Sequence, residues 1–309
     1  MNTLSDDQIL AAFRSIRCWS RSDQRAPHKP LLLLLALAQL QRKSGRSLSY
    51  CNVEPRLRQL LLEFGPRRKT QHPEHPFWRL QNDGIWIVDS RDSIRQELTS
   101  SGDATADSLR RHQANGQLTN PIHAALVERP ELVNRIVTDL LDRNFPPSMH
   151  ETLLDAVDFQ WIYEKRRYEK RTYEKRMRDP HFREEIIRIY EHRCAVCGFD
   201  GRLGLADIGL EAAHIKWLAA GGPDASDNGI ALCVLHHVLF DRGALSIDEE
   251  LRLLVSKDLH GQNHVETLIL AYSGLPIRKP QPGEPEPDTR YTAWHRREVF
   301  RGPSRAITL

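Results

Sequence analysis

Two residue pairs with the same short gap are where this chain first offers chemistry. Cys194 and Cys197 enclose two residues in CAVCG, and Cys233 and His236 enclose two in CVLH. Three thiolates and one imidazole at that spacing fit a tetrahedral zinc ion, which takes sulfur and nitrogen donors and imposes little geometric preference of its own. A lone C-x-x-C is equally a redox motif, but redox chemistry does not explain a second pair with the same gap. Cys18 and Cys51 stand apart and read as ordinary reduced cysteines. His237 directly follows His236. On a helix it lies about 100° further round, so it is aimed at something other than the zinc.

The elements that must position these residues are legible from local pattern. EAAHI, residues 211–215, reads as a strand, and Gly221, Gly222, Pro223 and Asp224 then force a loop. NGIAL, residues 228–232, returns as a second strand, and a helix starts at Val234. Upstream, Asp179-Pro180 is an N-cap and first-turn pair for a helix running to about Arg193, whose apolar face is Ile186, Ile187, Ile189 and Tyr190. The outcome is strand, loop, strand and helix, pinned at the base by zinc.

Within that frame His214, Asn228 and His237 resemble the His-Asn-His set of the HNH nucleases, the ββα-metal fold. AHIKWL, DNGIALCVLHH and LFDRG carry the resemblance, which covers about residues 186–255. It implies a metal-dependent endonuclease. His214 would be the general base that takes a proton from the attacking water, a role that suits a neutral imidazole. His237 would hold a catalytic divalent ion, Mg²⁺ or Mn²⁺, against the scissile phosphate. Asn228 would brace the loop and orient His214. Many relatives place a metal ligand just before the base, where this chain has Ala213. Glu211, on the same strand face, and Asp241, one helical turn past His237, are the two candidate substitutes.

The remaining chain must choose where that centre cuts. The protein has 309 residues, a net charge of +3 and 40% hydrophobic residues, the balance of an ordinary globular chain of about two domains. No apolar run is long enough to span a bilayer and no secretion signal opens the chain, so the bacterial cytoplasm is expected. Helices are expected near 29–43, 54–66, 121–128, 130–143 and 148–158. FWRLQNDGIWIV, residues 77–88, places apolar residues either side of Asn82-Asp83-Gly84 and predicts a β-hairpin. The repeat YEKRR-YEKRT-YEKRM, residues 163–177, predicts a solvated, charged helical linker, with DNA-backbone contact as its sharper reading. KPQPGEPEPD, residues 279–288, reads as irregular. The expected class is α+β. A mostly helical domain over residues 1–158 carries a small hairpin, a linker follows over 159–185, and a zinc-pinned ββα-metal domain occupies 186–309.

APHKPLLLL and HPFWRLQNDGIW resemble the sulfur-binding domain of phosphorothioate-dependent restriction endonucleases. The resemblance implies a reader of phosphorothioated double-stranded DNA. A sulfur in place of a phosphate oxygen is larger, softer and less hydrated, so an apolar wall favours it and penalises the oxygen it would desolvate. His75 and Pro76 would form the wall, with His75 standing where the family carries an aromatic ring. Phe77 and Trp78 read as core support. His28 and Lys29 would meet phosphates or base edges, and Arg79, Arg110 and Arg111 would add backbone contacts. The expected protein is a type IV-like restriction endonuclease acting as a homodimer, because one HNH centre cuts one strand. Two alternatives stand beside it. One is an HNH nuclease directed to a methylated base through a slot built on Trp78 and Trp86. The other is a zinc-containing DNA-binding regulator without catalysis.

Overall fold

The computed structural model describes residues 4–18, 23–160 and 180–305. The charged YEKR repeat lies outside the described residues. The chain divides into two compact units, residues 1–161 and 162–309.

The first unit is built around the helix His28–Gln41. Its run Pro30 to Ala38 is buried on every side, which is what a helix apolar all round must be. Helices Asp6–Arg14, Tyr50–Phe64, Glu74–Arg79 and Pro130–Asn144 pack against it or beside it, with Asn120–Glu128 and Pro147–Ala156 completing the shell. All five helices expected from sequence form, with ends displaced by a few residues. A three-stranded antiparallel sheet flanks the bundle, with Asn115–Leu118 between Leu48–Ser49 and Trp86–Val88. Gly116 sits where a Cβ would lie 2.3 Å from the Trp86 ring, so only a glycine there leaves room for the indole.

The expected hairpin over 77–88 does not form. Residues Glu74–Arg79 are helical, a short 3-10 turn covers Leu80–Asp83, and Gly84 leaves it in the left-handed conformation at φ 74°. Asn-Asp-Gly therefore ends a helix rather than reversing a strand, a second use of the same φ > 0 residue. The strand after it, Trp86–Val88, finds its partner about thirty residues further on. The Asn-Asp-Gly signal is local, and the long-range pairing that decides what it terminates is not visible in the segment.

The second unit has at its centre the antiparallel pair Leu210–His214 and Gly229–Cys233, in register from Leu210 opposite Cys233 to His214 opposite Gly229. The helix Val234–Asp241 follows the second strand directly. The helix Pro180–Ile189 packs across the pair, and Phe182, Ile186 and Ile187 belong to the unit's core. A Cβ at Gly229 would meet Ile186 Cδ1 at 2.2 Å, so the glycine admits that helix. A second ribbon, Leu245–Ile247 with Leu253–Val255, and the C-terminal helix Thr289–Glu298 close the unit. The proline-rich segment 279–288 has no helix or strand, as expected. No described helix is long and apolar enough to cross a membrane.

Candidate endonuclease centre and DNA-reading face

At the base of the ββα element the four cysteine and histidine side chains converge, with their ligand atoms all within 4.8 Å of one another. Cys233 Sγ lies 3.1 Å from His236 Nδ1, Cys194 Sγ 3.7 Å from the same nitrogen, and Cys197 Sγ 4.0 Å from Cys233 Sγ. A tetrahedral ion with Zn–S bonds of about 2.3 Å needs its sulfurs roughly 3.8 Å apart, so the donor set fits zinc in kind and spacing. His236 Nε2 donates to Leu268 O at 3.0 Å, which fixes the tautomer and leaves Nδ1 as the ligand atom. Gly198, at φ 72°, turns the chain back so that its N–H reaches Cys194 O at 2.8 Å.

His214 ends the first strand. Its ring lies flat on Phe182, centroids 4.0 Å apart and 9° from parallel. Its Nε2 is 2.7 Å from Asp224 Oδ1. Burial lowers the His214 pKa, and Asp224 pulls the other way, with the net direction downward. Burial thus favours the neutral ring, in which Nε2–H donates to Asp224 and Nδ1 is the basic atom. Sequence reading gave Asp224 only to the loop and did not single out Phe182. Asp224 stands ten residues from the histidine across a glycine-proline turn, a separation that carries no periodic signal.

Asn228 is fully buried and acts entirely on backbone. Its Oδ1 accepts from Lys216 N at 2.8 Å, and its Nδ2 donates to Lys216 O at 3.0 Å and Pro223 O at 2.8 Å. Ile215 N donates to Asn228 O at 2.9 Å. Gly222 is part of the same device, because a Cβ there would meet Lys216 O at 1.9 Å and Asn228 Nδ2 at 2.9 Å. The amide clamps both ends of the loop that carries Asp224. It therefore reaches His214 through the backbone next to it rather than by bonding its ring.

His237 points away from the cysteine cluster. Its Nδ1 is 2.6 Å from Glu211 Oε2 and its Nε2 3.3 Å from Asp241 Oδ2. Burial opposes charge on this ring, but Asp241 and Glu211 outweigh it and push the pKa up to about 10. Both carboxylates singled out from sequence thus meet His237, on opposite ring nitrogens. Asp241 is buried and Glu211 half-exposed. Carboxylate oxygens suit Mg²⁺ or Mn²⁺, and the negative potential of Glu211 and Asp241, which raises the His237 pKa, favours a cation that displaces the ring proton.

In the first unit, most of the basic residues expected to meet DNA are held by carboxylates. Lys29 Nζ lies 2.5 Å from the buried Asp83 and 2.8 Å from Arg17 O. Arg79 makes two 2.6 Å bonds to Asp103, and Arg110 bonds Glu54 at 2.7 and 2.5 Å. Arg111 bridges Asp107 at 2.9 Å and Glu97 at 2.8 Å. His28 begins the central helix, and burial, with His75 and His72 nearby, lowers its pKa to about 4. His75 is half-buried beside the buried Pro76, while Phe77 and Trp78 are in the core. Trp86 is 2% exposed and Trp78 7%, so these two rings form no open slot for a flipped base.

Residues 194–248 match the HNH endonuclease family, so the protein carries a DNA endonuclease domain. Residues 6–161 match the ScoMcrA-like DNA sulfur-binding domain, and the chain belongs to that family. Among solved structures it is similar to the sulfur binding domain of ScoMcrA complexed with phosphorothioated DNA, at 23% identity over 48% of this chain and 93% of that one, TM-score 0.42. The sulfur binding domain of SprMcrA complexed with phosphorothioated DNA is similar at 20% identity over 51% and 96%, TM-score 0.41. The type IV phosphorothioation-dependent restriction endonuclease ScoMcrA is similar at 14% identity over 74% and 93%, TM-score 0.38. No curated protein matches the chain.

Proposed function

We propose that the protein is a type IV restriction endonuclease that binds phosphorothioated DNA through its first unit and hydrolyses a nearby phosphodiester through its HNH centre. The observation that carries this reading is the pairing, in one chain, of a sulfur-binding-family unit with a ββα element holding His214, Asn228 and His237 in place. Acting on DNA, it works in the bacterial cytoplasm.

The residues have distinct tasks. His214 Nδ1 accepts a proton from the attacking water, with Asp224 holding the ring by its other nitrogen. Phe182 fixes the plane of that ring. Asn228 holds the loop shape that keeps Asp224 in reach. Glu211 and His237 Nδ1, once that nitrogen has given up its proton, would hold the Mg²⁺ or Mn²⁺ ion, and the buried Asp241 fixes the His237 ring from the other side. That ion, when bound, stabilises negative charge on the scissile phosphate and the leaving oxygen. Zinc at Cys194, Cys197, Cys233 and His236 is structural. His28, His75 and Pro76 face the modified linkage, and two protomers combine for a double-strand break.

The test of the mark is a mobility shift of the full-length His214→Ala protein on matched duplexes, plain, methylated and phosphorothioated. Preferential binding of the phosphorothioated duplex is expected. Equal binding to all three removes the sulfur reading, and preference for the methylated one replaces it. Sedimentation on DNA tests the dimer, and a monomer throughout would overturn it.

A further inference from the structure

A second cluster of ligating atoms lies in the first unit, away from the cysteines. His72, Glu74 and His75 place one ligand atom each within 4.8 Å of the others. His72 Nδ1 is 2.7 Å from Glu74 Oε1, and the rings of His72 and His75 stack with centroids 4.8 Å apart and 17° from parallel. The backbone holds them there. His75 N donates to His72 O at 3.2 Å, closing a turn, and Pro73 and Pro76, both buried, restrict the residues on either side. His72 is exposed and the other two half-buried, so the cluster opens to solvent on one side.

We propose that His72, Glu74 and His75 bind a divalent transition-metal ion of the zinc class and leave one coordination position open, which takes the sulfur of a phosphorothioate. Two imidazoles and a carboxylate make a three-ligand zinc set with an open fourth position. Bonds of about 2.0–2.2 Å place tetrahedral ligand atoms roughly 3.4 Å apart. His72 Nδ1 and Glu74 Oε1 are already within that distance, and the His72 ring must turn out of its stack with His75 so that both imidazoles aim at one ion, a movement within reach of this exposed side chain. The set is too rich in nitrogen for Ca²⁺ or Mg²⁺, which prefer oxygen. Sulfur is a softer donor than phosphate oxygen, and a zinc-class ion prefers it. An ion here would therefore read the mark by bond preference, where His75 is a poorer apolar wall than a hydrocarbon ring. The ion site stands on the cluster's own geometry. That its open position receives sulfur rests on the proposed reading of His75 and Pro76 as facing the modified linkage.

The experiment has two arms on full-length protein whose cysteine site is already filled with zinc. Calorimetric titration with ZnCl2 alone, on a His237→Ala background that removes the histidine ligand of the catalytic ion, should show one further equivalent, weakened on the order of tenfold or more when Glu74→Gln or His72→Ala is added. No further equivalent, or one unaffected by either substitution, overturns the site. In mobility shifts, added zinc should raise the ratio of affinities for phosphorothioated over plain duplex in the native chain and leave it unchanged in His72→Ala. A ratio unmoved by zinc, in a protein that does prefer phosphorothioate, overturns the sulfur-binding position. A protein that distinguishes neither duplex, with or without zinc, contradicts the functional reading instead, and the titration alone then decides the ion site.

Discussion

Asp224 Oδ1 lies 2.7 Å from Nε2 of His214, on the opposite ring nitrogen from Nδ1, the atom proposed as the base. The pair joins a strand end to a loop. The loop keeps its shape because Asn228 bonds Lys216 and Pro223 from within it. A carboxylate there orients the ring and stabilises the imidazolium formed when the base takes its proton, the part an acidic partner plays beside a catalytic histidine.

Replacing Asp224 by Asn should lower the cleavage rate about 10- to 100-fold while zinc content is retained. The pH profile should also move. Burial lowers the His214 pKa and Asp224 partly restores it. The base is neutral above its pKa, so the acid limb of kcat/KM should lie below the ordinary histidine range. Removing the carboxylate takes away the influence that raises the pKa, so in Asp224→Asn the limb should move further to acid. A limb that moves toward neutral pH would contradict the assignment.

The neighbouring histidines should fail differently. His236→Ala removes a donor from the four-residue cluster, and should lose zinc and the folded C-terminal unit together. His237→Ala leaves that cluster whole and should keep zinc and fold while cleavage falls by three orders of magnitude or so. Metal analysis and circular dichroism beside a nicking assay separate the two.

Glu211 and Asp241 occupy opposite nitrogens of His237. With the ion on the Glu211 side, Glu211→Gln should raise the Mg²⁺ or Mn²⁺ concentration needed for half-maximal cleavage about tenfold or more. Asp241→Asn should act mainly on the rate at saturating ion. The reverse pattern would put the ion on the other nitrogen.

Arg79 pairs with Asp103, a carboxylate only 5% exposed that also accepts from Ser101 Oγ at 2.9 Å. Arg79→Ala leaves that charge short of a partner and should cost about 1.5–3 kcal/mol of stability, read as a lower thermal midpoint. The salt dependence of DNA binding should be unchanged. A slope shallower by about one would show that this guanidinium contacts phosphate as well.

The sequence carried much of this architecture because the signals were local. Equal two-residue gaps identified the cysteine cluster, and 3.6-residue periodicity with prolines at helix starts identified the helices of the first unit. What it hid depends on distant partners. Asn82-Asp83-Gly84 marks a reversal in either a hairpin or a helix end, and only the pairing of Trp86–Val88 with Asn115–Leu118 decides which. Lys29, Arg79 and Arg110 look like free cations until Asp83, Asp103 and Glu54 are brought to them from at least twenty-four residues away. Phe182 reads as part of a linker, and the structure lays it against the His214 ring.

The central claim is that one chain reads a phosphorothioate and cuts beside it. Its most direct measurement is cleavage of matched plasmids, phosphorothioated and plain, by the full-length protein with Mg²⁺ or Mn²⁺. The account predicts cleavage of the phosphorothioated plasmid alone, abolished in His214→Ala with zinc content unchanged. Equal cleavage of both plasmids, or cleavage that survives His214→Ala, would contradict it.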